Sequence, residues 1–136
     1  MIREVINNWN QRKGKLKKYL SNTNQEEYNS YEKLVELLVK IILPEFDYRR
    51  IGELSFGEYQ GIEIFIIPTT DYADSLEELI YTHNYYGSCC GCDTLQAIQY
   101  DYGNYGEGLP TKKQVKEYMS LCLNLIENMK YFKEKE

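Results

Sequence analysis

The spacing of apolar residues changes twice along this chain, and that change constrains the fold more than any other feature. From position 2 to 20, Ile2, Val5, Ile6, Trp9, Leu16, Tyr19 and Leu20 fall near i, i+3, i+4 and i+7 steps. This is one stripe of an amphipathic helix, with Lys13, Lys15 and Lys17 off it. Gly14 weakens its middle by up to ~1 kcal/mol relative to alanine. Ser21, Asn22, Thr23 and Asn24 read as a turn. Thr23 with Glu26, or Asn24 with Glu27, makes a capping-box pattern for a second helix. That helix carries Tyr28, Tyr31, Leu34, Val35, Leu38, Ile41 and Ile42 and stops before Pro44. The short connection predicts an antiparallel helix pair.

The period then becomes two. Residues 49–56 and 62–67 read as strands joined by Gly57-Glu58-Tyr59-Gln60-Gly61, a hairpin signal. Ile62, Ile64 and Ile66 share one face, Phe65 and Ile67 the other, and Pro68 ends the strand. Residues 79–86 alternate again, with Leu79, Tyr81, His83 and Tyr85 on one side. The helical period returns after residue 93. Asp93 with Gln96 predicts a short helix to about residue 99, and Thr111 with Gln114 caps a long one. The stripe of that last helix is Val115, Tyr118, Met119, Cys122, Leu125, Ile126, Met129 and Phe132. The expected fold is α+β, with an N-terminal antiparallel helix pair, a three-stranded antiparallel sheet, a short helix and a long C-terminal helix. With 136 residues, a single domain over 1–136 is expected. No apolar run reaches the ~18 residues of a membrane span and no signal peptide is visible, so a soluble, cytoplasmic protein is expected, with no membrane partner.

Charge is segregated. Residues 1–20 hold Arg3, Arg12, Lys13, Lys15, Lys17 and Lys18 against Glu4 alone. Residues 45–107 hold twelve acids against Arg49 and Arg50, within a net charge of -5. That middle repels phosphate, so direct nucleic-acid binding there is not expected. It suits a partner protein with a basic surface, or the basic face of helix one in a second copy, which would give a homodimer. The acidic, aromatic candidates for such a contact are Tyr100, Asp101, Tyr102 and Tyr105 in a glycine-rich loop, with Asp71, Asp74 and Glu77 on another connection. Tyrosine offers large contact area at low entropy cost, and the chain has fourteen.

The stretch from 85 to 96 has specific chemical content. Cys89 and Cys92 have C-x-x-C spacing ahead of a helix start, where backbone N–H groups stabilise a thiolate. The βαβ unit of a thioredoxin-like dithiol is missing, and no Lys, Arg or His lies in the loop. The same two thiols with His83 supply three zinc ligands, one short of the usual four. Cys122 falls on an apolar helix stripe and reads as core. Gly87, Ser88, Gly91 and Asp93 form a glycine loop at a helix start that could cradle a small ligand, but no lysine follows as in a triphosphate-binding loop. The packing alternative is preferred: the glycines allow left-handed turns, the cysteines fill space under the loop, and Asp93 caps a helix. No catalytic residue and no required cofactor is expected. With a single histidine, acid–base work has few candidates.

The string Tyr85-Tyr86-Gly87-Ser88-Cys89-Cys90-Gly91-Cys92-Asp93-Thr94-Leu95-Gln96-Ala97-Ile98 resembles the Y-G-S-C-S-G-C-D-x-L-[EQ]-A segment of a small family found in phages and bacteria. Gly57-Glu58-Tyr59-Gln60-Gly61 resembles the same family's Y-Q-G turn. Cys90 stands where serine is usual, so that position need not be a ligand. The resemblance implies a phage or prophage accessory protein and implies no catalytic residues. Combined with the charge and the tyrosines, it leads to an expected inhibitor of a host defence protein. The concrete version occupies a basic site on a CRISPR nuclease, as anti-CRISPR proteins do. The alternative is a ligand-, metal- or thiol-dependent module built on residues 87–93, sequestering a nucleotide signal or carrying out redox chemistry.

Overall fold

The computed structural model describes residues 2–70, 75–88 and 93–132. Helix α1 (Arg3–Ser21) forms on the expected stripe and buries Val5, Trp9, Leu16 and Leu20. It runs through Gly14 without a break. The expected start of the second helix is corrected. Gln25–Tyr28 is a separate 3-10 turn, and α2 (Tyr31–Ile42) begins behind Ser30, whose side chain accepts from Lys33 N. Asn24 makes no side-chain cap. The reason is tertiary: Tyr28 is drawn into the core and its hydroxyl donates to Leu20 O at 2.9 Å, ending one turn before the next can start. α2 returns along α1, so that Arg12 reaches Ile42 O at 3.0 Å and Asn8 hydrogen-bonds Glu45.

The next strand starts later than expected, because Tyr48–Arg50 is a 3-10 turn fastened by Asp47, which accepts from Arg49 N and Arg50 Nε. Strands β1 (Gly52–Gly57), β2 (Gly61–Pro68) and β3 (Leu79–Tyr86) form the expected antiparallel meander. The hairpin between β1 and β2 requires its glycines. Gly57 has φ +120°, and a Cβ at Gly61 would overlap the Phe56 carbonyl oxygen.

Among the described residues the sheet has four strands, not three, in the order β1-β2-β3-β4. Helix α3 (Thr94–Tyr100) is capped by Asp93 and α4 (Lys112–Glu127) by the expected Thr111–Gln114 capping box. α4 ends at Glu127, before the Phe132 at which its stripe was expected to finish. The chain turns at Asn128, and β4 (Lys130–Tyr131) pairs with β3 through Ile80↔Tyr131 and Tyr81↔Lys130. Two residues are too short to show a strand period in sequence.

The helices cover one face of this sheet. Phe65, Ile67 and Ile80 are buried against them, and the Thr82 hydroxyl donates to Leu125 O of α4 at 2.6 Å. α1 packs mainly on α2 and α4. Among the described residues no helix is long and apolar enough to cross a membrane.

Candidate functional site: the uncovered sheet face

Strand register assigns every second residue to the face away from the helices. Three cross-strand rows result: Phe56, Ile62 and Tyr85; Leu54, Ile64 and His83; Gly52, Ile66, Tyr81 and the exposed Lys130 of β4. The isoleucines are half-buried only by their neighbours, while Leu54 is 47 %, Phe56 56 % and Tyr85 67 % exposed. His83 and Tyr85 meet edge to face at 5.7 Å, and Phe132 stands edge-on to Tyr81 at 6.0 Å. At the hairpin tip Tyr59 is 78 % exposed. No described helix or strand covers these rows. An apolar, aromatic patch of this kind marks an interaction surface rather than a core. Glu58 stands exposed at the hairpin end, and Glu77 at the start of β3.

The sequence correctly grouped Tyr81, His83 and Tyr85 on one side of β3, and Ile62, Ile64 and Ile66 on one side of β2. It did not identify that side as open. The missed residues are Leu54, Phe56, Tyr59, Tyr81 and Tyr85. Period-two alternation reveals two faces, but only the landing place of the helices decides which is covered.

The residues singled out in the aromatic loop are partly brought together. The Tyr100 and Tyr105 rings lie 6.4 Å apart, 48 % and 67 % exposed, and Tyr105 takes φ 55°. Asp101 is exposed at the end of α3. A hydrogen bond to Glu117 holds the Tyr102 hydroxyl protonated and raises its pKa. The loop is anchored beside the α1–α2 connection, where Gln25 N donates to Gly108 O and Gly108 N to Glu26. Glu77 lies elsewhere, in a cleft shared with Ile2 and Glu4 at the start of α1. The two places are at opposite ends of a 19-residue helix, roughly 28 Å long, so they do not make one patch. Asp71 and Asp74 lie outside the described residues.

Cys89, Gly91 and Cys92 also lie outside the described residues. What flanks them is well defined. Asp93 is buried and accepts three hydrogen bonds: from the Tyr31 hydroxyl at 2.7 Å, from Gln96 N at 3.2 Å and from Gly87 N at 3.0 Å. Gln96 Nε2 returns a bond to Gly87 O at 2.9 Å. The two ends of the 87–93 loop are thus clipped together by Asp93 and Gln96. Ser88 is exposed, and His83 is on the open sheet face. Beside the clip is a cleft of about 280 Å³ lined by Tyr31, Glu63, Tyr86, Asp93, Gln96 and Gln99, among others. The pKa of Glu63 is raised, by burial first and then by Glu53, Asp93 and Glu32. Among the described residues no group of three or more histidine, cysteine or acidic side chains is arranged to hold a metal.

Comparison with known proteins finds no matching family model, no matching curated protein and no matching solved structure.

Proposed function

We propose that this is a binding protein that docks a partner protein on its open sheet face and masks a basic site there. The carrying observation is the uncovered set of Leu54, Phe56, Tyr81 and Tyr85, wide enough for several aromatic anchors. The occupant is a protein presenting an apolar strip bordered by basic side chains. Glu58 gives the hairpin end of the face a negative charge, within a chain of net charge -5, while Lys130 beside Tyr81 is a positive charge at the β4 edge. Such complementarity speeds encounter, and the aromatic anchors slow release. The family resemblance supports a cytoplasmic phage or prophage accessory role, inhibition of a host defence nuclease being the specific form.

The test is capture of host proteins on the immobilised chain, beside a Phe56→Ser/Tyr85→Ser variant and a Glu58→Lys variant, with the contact mapped by cross-linking. The expected partner is lost with either variant, is released by salt, and cross-links through a basic segment. A partner retained by both variants overturns the reading.

A second reading rests on the cleft beside Asp93. Its two carboxylates favour a cationic guest over a phosphate. Native against denatured mass spectrometry separates the two readings: a mass present only in the native spectrum supports a bound ligand.

A further inference from the structure

The acidic chain carries a basic groove among its helices. The groove lies between α1 and α4, is open to solvent along its length, and has a volume of about 1190 Å³. Its α1 wall steps through Asn10, Lys13, Gly14, Lys17 and Ser21, about 16 Å of helix at i, i+3, i+4, i+7 and i+11 spacing. Its α4 wall is Lys112, Val115, Lys116 and Met119. Among the described residues the ion pairs are Arg12 with Glu45 and Asp47 with Arg49 and Arg50. None of the four groove lysines therefore has an acidic partner there. Gly14 keeps the groove open, since a Cβ built on it meets nothing within 4 Å.

We infer that this groove binds an acidic amphipathic helix from a partner protein. The volume exceeds the roughly 300–1,000 Å³ of small-molecule sites, and its long axis follows a helix. Val115 and Met119 give an apolar floor, and methionine adapts to varied side chains. The lysine stems extend that floor while their ammonium groups rim it. Apolar residues down the centre and carboxylates on both flanks form the complementary pattern. Nucleic acid fits less well, because no aromatic or arginine side chain lines the groove for stacking. This contact is independent of the sheet face, so either can fail without the other.

The experiment is fluorescence polarisation with the full chain. The probe is a labelled helical peptide with leucines at i, i+3, i+4 and i+7 and glutamates elsewhere. A scrambled peptide of the same composition and a single-stranded oligonucleotide are the competitors. The amphipathic peptide should bind, weaken with salt, and be displaced by neither competitor. Lys13→Glu with Lys116→Glu should weaken it about tenfold or more. Lys40→Glu, outside the groove, should leave it unchanged at physiological salt, where charges are screened beyond about 8 Å. Gly14→Leu fills the groove from a helical position, so it should abolish binding while the melting temperature rises. Equal binding of the scrambled peptide, preference for the oligonucleotide, equal loss with Lys40→Glu, or unchanged binding by Gly14→Leu each overturns the inference.

Discussion

The Tyr31 hydroxyl joins α2 to the start of α3: it donates to Asp93 Oδ1 at 2.7 Å and accepts from Leu95 N at 3.0 Å. Burial, together with the Asp93 hydrogen bond, keeps the phenol protonated, so its donor role does not depend on pH in the ordinary range. Tyr31→Phe removes one oxygen and strands two partners, the Leu95 N–H and one lone pair of a buried carboxylate. Leaving a buried group unsatisfied costs about 1–3 kcal/mol. The expected result is a loss of that size in denaturant unfolding, with faster amide exchange at Leu95 and Gln96. Unchanged exchange at those two amides would show that the clip does not depend on Tyr31.

The two faces of the sheet should behave in opposite ways. Phe65 is fully buried against the helices, whereas Ile64 and Ile66 face outward. Phe65→Ala should cost about 3–5 kcal/mol through the cavity it leaves. Phe56→Ser, in the outer row, should change stability by no more than about 0.5 kcal/mol, as for surface substitutions generally. Equilibrium unfolding of both variants checks this. A loss above that bound for Phe56→Ser would mean that the outer face contributes to the fold.

How far the sequence could be read follows from the range of each determinant. The Asp93 and Thr111 caps were legible because a cap is decided within three residues. The start of α2 was not, since Thr23, Asn24 and Ser30 are all good caps and the contact of Tyr28 with Leu20 decides among them. β4 was hidden because two residues carry no period, and its pairing with Ile80 is set by where α4 ends. The two faces of β2 were legible, but polar Glu53, Ser55 and Glu63 share the helix side with Phe65, so polarity does not mark the solvent face there. The groove brings Lys13 and Lys17 beside Lys112 and Lys116, and only tertiary packing joins positions that far apart.

Cys122 is fully buried on α4, and burial pushes its thiol pKa up to about 12. At pH 8 almost none of it is thiolate, and reagents react through the thiolate. Native iodoacetamide treatment followed by peptide mapping should therefore leave Cys122 unmodified. Prior unfolding should expose it to full alkylation. Modification in the native protein at a rate matching a free thiol would place Cys122 at the surface rather than in the core.

The carboxylates on the helix side of the sheet should give the protein a pH response of definite sign. Glu63 is directly paired with Ser55 of β1 and Asn84 of β3, and burial, then Glu53, Asp93 and Glu32, raises its pKa. Glu53 is raised as well, by burial and by the Glu32 carboxyl. Each raised group binds protons more readily folded than unfolded. Its contribution to stability is therefore fully present below the unfolded value near 4.5 and is lost as pH rises through the folded value. Once pH has risen past their folded values, both groups are charged and oppose folding. Replacing Glu63 with the uncharged Gln should then raise the melting temperature at pH 7. The gain should stay under about 1 kcal/mol, because solvent reaches part of the group and screens it. Below the unfolded value the advantage should vanish, so the stability–pH curve of Glu63→Gln is flatter than that of the parent over the mildly acidic range. Thermal melts across that range measure it directly. A Glu63→Gln protein less stable than the parent at pH 7 would mean that Glu63 is held by a favourable partner and not by repulsion among the acids.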